Sequence, residues 1–308
     1  MTIPATLAKN LRLPVIAAPM FLVSGPDLVI ATARAGAIGT FPVLNARTLE
    51  QVEGWYQQIR AALDGDPQAA AWGINLIVHK TNQQRLQADL DLAVKYKVPL
   101  IITSIGNPAP IVEAARSYGG VVFHDVTTLR HARKAAEAGV DGLILVCGGA
   151  GGHAGTLNPF AFLPEVRAVF DRTIVLAGAL SSGRAIKAAQ VLGADLCYMG
   201  TRFIATRESM AQPAFKQMIL DSTAADIVYT PAVSGIPASF LGQSLAAAGF
   251  DAERLKLRPE IDLGKELDQS ESKAWRDIWS AGQGVGSIAD VPATADLVAR
   301  LRAEYEAA

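Results

Sequence analysis

The 308-residue chain has little cysteine: Cys147 and Cys197 both lie inside apolar strand-like runs, so no disulfide framework is expected and a reducing compartment fits. Each reads as a small buried hydrophobe. Charge of one sign is equally scarce. Net charge is −1, and Lys and Arg are scattered rather than clustered. No basic face is offered to nucleic acid or to an anionic membrane, which points to small-molecule partners. No apolar run reaches membrane-spanning length, and the opening Met-Thr-Ile-Pro-Ala-Thr lacks a basic region followed by a long apolar segment, so a cytoplasmic protein is expected. There is no H-E-x-x-H and no cysteine pair at ligand spacing, so no metal is expected. A G-x-S-x-G elbow is missing too, as is a strand-end lysine apart from Lys80, which removes the commoner covalent nucleophiles.

What is there is apolar sequence, half of the chain, enough for one large barrel or two ordinary domains. Short β-branched runs alternate with helical patterns, the signature of repeated βα units. Eight strands are expected at Val15–Met20, Ile38–Pro42, Ala71–Val78, Leu100–Ile105, Gly120–Val126, Gly142–Gly148, Thr173–Gly178 and Asp195–Gly200. Amphipathic segments lie between them, among them Thr48–Leu63, Asn82–Tyr96, Ile111–Tyr118, Thr128–Ala138 and Gly183–Leu192. Gly36, Gly139 and Gly193 each stand where a helix ends in left-handed backbone just before the next strand. Strands apolar nearly throughout need cover on both faces, and a closed (β/α)8 TIM barrel supplies it without edges. An open doubly wound sheet is the weaker alternative. The glycine run after strand six fits G-x-G-x-x-G poorly, runs into Asn158-Pro159 rather than a helix, and has no acid about twenty residues on.

The barrel is expected to occupy residues 1–221, followed by a small additional lobe over 222–270 and a helical segment over 271–308 that packs back on the barrel. Pro231, Gly235, Pro237, Gly242 and Gly249 punctuate the lobe, and Arg254–Gln269 is charged. Helical pattern resumes at Glu271–Trp279 and Ala293–Glu306.

The working face of such a barrel is where strands end at their C-termini. That filter selects Pro19 and Met20, Asn75, Ser104, His124 and Asp125, the run Gly148–Gly155, Ala177-Gly178-Ala179, and Gly200-Thr201. Glycines after strands seven and eight, in register, favour a phosphorylated ligand, with a helix N-terminus after Ser182-Gly183 aimed at it. His153 sits in a glycine loop with no helix to pack against, which favours catalysis or ligand contact. The other histidines read as structural: His131 solvated on a helix, His79 at the rim, His124 in the core or the pocket wall. What remains is an imidazole beside an organic cofactor that does the redox step.

On these residues the chain resembles the FMN-dependent nitronate monooxygenase family, formerly the 2-nitropropane dioxygenases, with the flavin-dependent enoyl-acyl-carrier-protein reductases as relatives. The resemblance rests on Val15-Ile16-Ala17-Ala18-Pro19-Met20, Gly73-Ile74-Asn75-Leu76, Ala150-Gly151-Gly152-His153-Ala154-Gly155, Leu176-Ala177-Gly178-Ala179, Met199-Gly200-Thr201-Arg202-Phe203 and Ser280-Ala281-Gly282-Gln283. It implies FMN at the strand C-termini. The phosphate would lie on amides around Ala177, Gly178, Ala179, Gly200 and Thr201, and the ring near Ala18, Pro19, Met20, Asn75 and Gly151. His153 matches the family histidine that serves as base or electrostatic partner to the substrate. Asp125 stands where some relatives carry a lysine near the flavin, and an ionised acid there disfavours an anionic reduced ring.

Three functions are weighed. In the first, FMN and O2 oxidise an alkyl nitronate, with His153 removing the α-proton of a neutral nitroalkane. In the second, NAD(P)H reduces the flavin, which reduces an enoyl thioester or a quinone. The third is a flavin-free barrel that binds or isomerises a phosphorylated metabolite. Ser104, Asn75 and Gln283 could hold a nitro group, a carbonyl or a carboxylate, and a homo-oligomer is left open.

Overall fold

The computed structural model describes residues 2–79, 83–257, 259 and 277–308. Its strands are β1 (Val15–Ala17), β2 (Ile38–Pro42), β3 (Trp72–Ile77), β4 (Leu100–Ser104), β5 (Val121–Val126), β6 (Gly142–Val146), the two-residue β7 (Gly152–His153), β8 (Thr173–Ala177) and β9 (Leu196–Met199). All but β7 close a parallel eight-stranded barrel, in which β9 pairs back on β1 through Val15–Cys197, Ile16–Tyr198 and Ala17–Met199. The expected TIM barrel is therefore the fold.

Period-two alternation on each strand sends one set of side chains inward and the other toward the helices. Ile16, Ile38, Leu100, Ile102, Phe123, Ile144, Val175 and Leu196 fill the inside. Leu7 of α1 (Ala5–Ala8) joins that cluster from the N-terminal end, where Thr2 bonds Asp195 and Thr173 at the strand starts. The outward set meets α2 (Pro26–Arg34), α3 (Leu49–Leu63), α4 (Gln83–Lys95), α5 (Ala109–Arg116), α6 (Leu129–Glu137), α7 (Pro159–Arg167) and α8 (Gly183–Leu192). These helices start where side chains can satisfy orphan amides. Thr48 accepts from Gln51 N, Thr128 from His131 N and Ser182 from Ala185 N. The three expected turn glycines, Gly36, Gly139 and Gly193, have φ of 86°, 83° and 114°.

β1 is shorter than expected. Its last ladder bond is Ala18 N to Met199 O, after which the chain turns away. Buried Asn45 holds that turn, donating to Met20 O and Ser24 O and accepting from Leu22 N.

Beyond α9 (Thr201–Ile204) and α10 (Pro213–Leu220), β10 (Ile227–Thr230) and β11 (Ala238–Leu241) form an antiparallel pair, followed by α11 (Gly242–Ala247). A third strand joins β11 from inside the barrel sequence: β7 pairs as Ala238 with His153 and Ser239 with Gly152. The glycine run, expected as open loop, is thus sheet at its centre. The C-terminal α12 (Thr294–Glu306) lies on α8 and α2. Lys80, Asn82, residues 260–270 of the expected lobe, and residues 271–276 of the expected helix Glu271–Trp279 lie outside the described residues. No helix among the described residues is long and apolar enough to cross a membrane.

Candidate active site

A cavity of about 360 Å³ opens at the C-terminal end of the barrel. From the turn after β1 come Ala18, Pro19 and Met20; from β3 to β5 come Asn75, Ser104 and Asp125. The glycine run contributes Gly149 to His153, the seventh barrel strand Ala177, Gly178 and Ala179, and the eighth Gly200 and Thr201. Of the strand-end residues selected from the sequence, His124, Gly148, Ala154 and Gly155 stand outside this space; of those assigned to catalysis, cofactor or substrate, all but one line it. The exception is Gln283, which is exposed and does not line it. Its backbone amide instead donates to Gly149 O, and its neighbours Gly282 and Gly284 are in the wall.

His153 reaches the cavity from outside the barrel sheet. Its strand is held by three independent ties. Ser280 Oγ accepts from Gly152 N and donates to Ser239 O, Tyr229 OH donates to Ala154 O, and the β11 rung fixes His153 opposite Ala238. The Ser280–Gln283 motif acquires a structural meaning from these bonds: Gly282 N donates to Thr201 Oγ1, and a Cβ on Gly282 would stand 2.5 Å from Gly149 O. Only glycine lets the two loops touch there.

Three consecutive strands carry one hydrogen-bond chain across the floor. Asn75 Nδ2 donates to Ser104 Oγ at 2.8 Å, and Ser104 Oγ donates to Asp125 Oδ2 at 2.6 Å. Asp125 Oδ1 is buried and has no hydrogen-bond partner among the described residues. Burial pushes the Asp125 carboxyl up to about 7 against the opposing pull of the Ser104 bond. Tyr198 of β9 also lines the cavity, and burial with Asp125 nearby holds its hydroxyl well above the usual range. Among the described lining residues the titratable side chains are Asp125, His153 and Tyr198, and none is Lys or Arg.

At strands seven and eight the wall is backbone-rich. Gly178 has φ of 130° and Ala179 of 54°, two successive residues in left-handed backbone, and the Ala179 amide donates to Gly149 O at 3.3 Å. The start of α8 is a different matter from the sequence expectation. Gly183 N donates to Glu304 Oε2 of α12 and Ala185 N to Ser182 Oγ, so the chain's own carboxylate and cap occupy the helix start. Sequence reasoning also passed over Ser181. The residue lines the cavity, and its hydroxyl is buried with no partner among the described residues. A serine one position before an N-cap reads as loop, and only the three-dimensional wall distinguishes it. Phe215 and Trp279, stacked at 5.1 Å, face the same space with Phe21, Leu22, Ile204 and Met210 and make its apolar side.

The remaining histidines stand elsewhere. His124 points to the outer face of β5, where its Nδ1 meets Thr103 Oγ1 at 2.8 Å and burial, with the His131 charge, pushes it down to about 4. It is a neutral packing residue. His131 caps nothing in the cavity and His79 does not line it. Arg202 of the Met199–Phe203 motif turns away and, though buried, is paired with Asp290 at 2.9 Å. No metal-binding cluster of His, Cys, Asp and Glu occurs among the described residues.

Known proteins place this cavity in context. The family model described as nitronate monooxygenase matches residues 5–304. A nitronate monooxygenase of Paraburkholderia phytofirmans is 28% identical across 95% of this chain and 92% of its own length. The (3aS,4S,5R,7aS)-5-hydroxy-7a-methyl-1-oxo-octahydro-1H-indene-4-carboxyl-CoA dehydrogenase of Rhodococcus jostii is 25% identical across 92% of this chain and 90% of its own. Among solved structures, FabK from Thermotoga maritima shares the fold with a TM-score of 0.79 at 24% identity, covering 99% of this chain and 97% of that one. With the match running from α1 through the whole barrel and back along α12, the chain belongs to the nitronate monooxygenase family and is an oxidoreductase.

Proposed function

We propose that this enzyme holds FMN at the C-terminal end of its barrel and oxidises alkyl nitronates with O2. The observation that carries the reading is the convergence, in one cavity, of the His153 imidazole with the small-residue, left-handed backbone at Gly178–Ala179 and a buried Ser181 hydroxyl that has no partner among the described residues. A buried hydroxyl without a partner costs about 1–3 kcal/mol, which a phosphate oxygen would recover. The residues present therefore fit a phosphate-bearing cofactor such as FMN. FMN when bound would supply the electron transfer that no side chain here can perform.

The chain's own residues bind, orient and move one proton. Gly178, Ala179, Ser181, Gly200 and Thr201 would hold the phosphate, and Ala18, Pro19, Met20, Asn75 and Gly151 would border the ring. Ser104 and Asn75 set the polar floor. His153, fixed by β11 and Ser280, takes the α-proton from a neutral nitroalkane; a preformed nitronate has none to give. The cytoplasmic setting belongs to the same reading and is supported by the two buried thiols, Cys147 and Cys197, each pushed up to about 12 by burial.

The test starts with the visible spectrum of the purified protein: a flavin band, released as FMN on denaturation, is expected, and a protein still colourless after FMN is supplied sinks the proposal. His153→Asn should then lower turnover of nitroalkane by about 10²-fold or more while sparing preformed nitronate, and equal loss on both substrates refutes the base role. A second reading has one observation in its favour. The stacked Phe215–Trp279 wall suits a bulky apolar acyl group, and the Rhodococcus jostii relative is named for a carboxyl-CoA substrate. Steady NAD(P)H consumption with an enoyl thioester, without nitronate turnover, would select it.

A further inference from the structure

Asp125 is the feature of the cavity that the proposed chemistry leaves unexplained. Ser104 Oγ accepts from the Asn75 amide at 2.8 Å and donates to Asp125 Oδ2 at 2.6 Å. Oδ2 is thereby committed as an acceptor. With Oδ2 accepting from Ser104, a proton on this carboxyl falls to Oδ1, which is buried and has no partner among the described residues, on a side chain that lines the cavity. Were the group ionised, it would present a charge with a single hydrogen bond and no cation among the described lining residues. The groups around it do not supply one. On the elements that surround it, β3 and β4 offer Asn75 and Ser104, β6 offers Val146, β9 offers the Tyr198 hydroxyl and β7 offers His153; His124 of its own strand lies on the other face.

We propose that Asp125 stands in the cavity as an uncharged carboxylic acid whose Oδ1 hydroxyl donates to an acceptor atom of the bound redox ligand, with Ser104 and Asn75 as the positioning residues that assign the proton to Oδ1. Burial that raises the carboxyl to about 7 agrees with this assignment. The ligand half of the inference rests on the FMN reading; the protonation half does not. A neutral donor at this place favours a ligand that gains negative charge on reduction, without requiring a fixed cation. Raising the pH through the Asp125 titration replaces that donor by a like charge, so the reduced ligand should lose affinity relative to the oxidised one.

Infrared difference spectra of the full chain, wild type minus Asp125→Asn, read the protonation directly from about pH 5 to about pH 9. A carboxylic acid carbonyl band that persists to near neutrality and belongs to Asp125 is expected. Its absence at the acid end overturns the proposal even if FMN binds. Ser104→Ala removes the bond that stabilises the carboxylate, so the band should titrate at higher pH by about one unit; an unmoved midpoint refutes the positioning role. FMN is the ligand probe. In the wild type, the affinity of reduced relative to oxidised FMN should fall about tenfold across that titration, and in Asp125→Asn it should stay level. A level ratio in both proteins removes the ligand contact. If the band is present and FMN does not bind, the acid stands and the FMN reading falls.

Discussion

Replacing Gly282 by alanine should pry the C-terminal segment off the glycine run and unseat both from the cavity. The added Cβ would meet Gly149 O at 2.5 Å, Gly151 N at 2.7 Å and Ala150 C at 3.1 Å, all backbone atoms that cannot rotate away. Relief requires the two loops to separate by several tenths of an ångström, which stretches Gly282 N–Thr201 Oγ1 and Gln283 N–Gly149 O, each 2.9 Å now. Overpacking of this kind costs roughly 1–3 kcal/mol. The seam can be strained from its other side, because a Cβ on Gly151 would stand 2.8 Å from Gly282 N and 2.9 Å from Ala281 C. Once one alanine has opened the gap, the second finds room, so the double substitution should cost clearly less than the sum of the singles. Gly54→Ala is the control: nothing lies within 4 Å of its added Cβ, it sits inside α3, and it should gain up to about 1 kcal/mol. Urea unfolding at constant m-value measures all four, and FMN titration reports the cavity, where Gly282→Ala should weaken binding at least about tenfold. Additive single costs, or a Gly282→Ala protein as stable as wild type, would refute the argument that this contact holds the wall together.

Two further outcomes are expected. His124 is pushed down to about 4 in the fold, so between that value and the ordinary 6.5 the unfolded chain binds the extra proton; its contribution is complete above pH 6.5 and is lost as pH falls toward 4. It amounts to at most about 3 kcal/mol, read as the difference between wild type and His124→Gln, since Asp89 and Asp125, raised to about 6 and about 7, act with the opposite sign in an overlapping window. Identical pH slopes for the two proteins would deny His124 that role. Ser181→Ala should weaken FMN binding about tenfold while leaving or slightly improving the stability of the unliganded protein, because the lost hydroxyl abandons no partner among the described residues; unchanged affinity would remove Ser181 from the proposed phosphate site.

The barrel was legible because its code is local. Runs such as Leu143–Val146 and Ile174–Leu176 are apolar on both faces, and Gly36, Gly139 and Gly193 mark the helix ends in the same register before the following strands. Strand C-termini then pointed to the cavity residues without further information. What was hidden depends on residues far apart in sequence. Nothing near His153 announces a strand, because its partner Ala238 comes from a hairpin that the sequence offers only as weakly periodic segments. The helix start at Gly183 looks like an anion site until Glu304, at the far end of the chain, is seen to occupy it. Gln283 and Arg202 stand in recognisable motifs, yet one contributes its backbone amide and the other an internal ion pair. In each case the motif locates the segment, and the tertiary contact decides which atom faces inward.

The rung between His153 and Ala238 divides ownership of the machinery. The barrel strands carry the polar floor and the Gly178–Ala179 backbone, whereas the imidazole answers to a hairpin outside them. Exchanging that hairpin would re-aim the imidazole and, because Ser239 O and Leu241 N hold Ser280 and Trp279, would also shift that edge of the cavity, so a peripheral ribbon sets part of the wall as well as the ring that faces it.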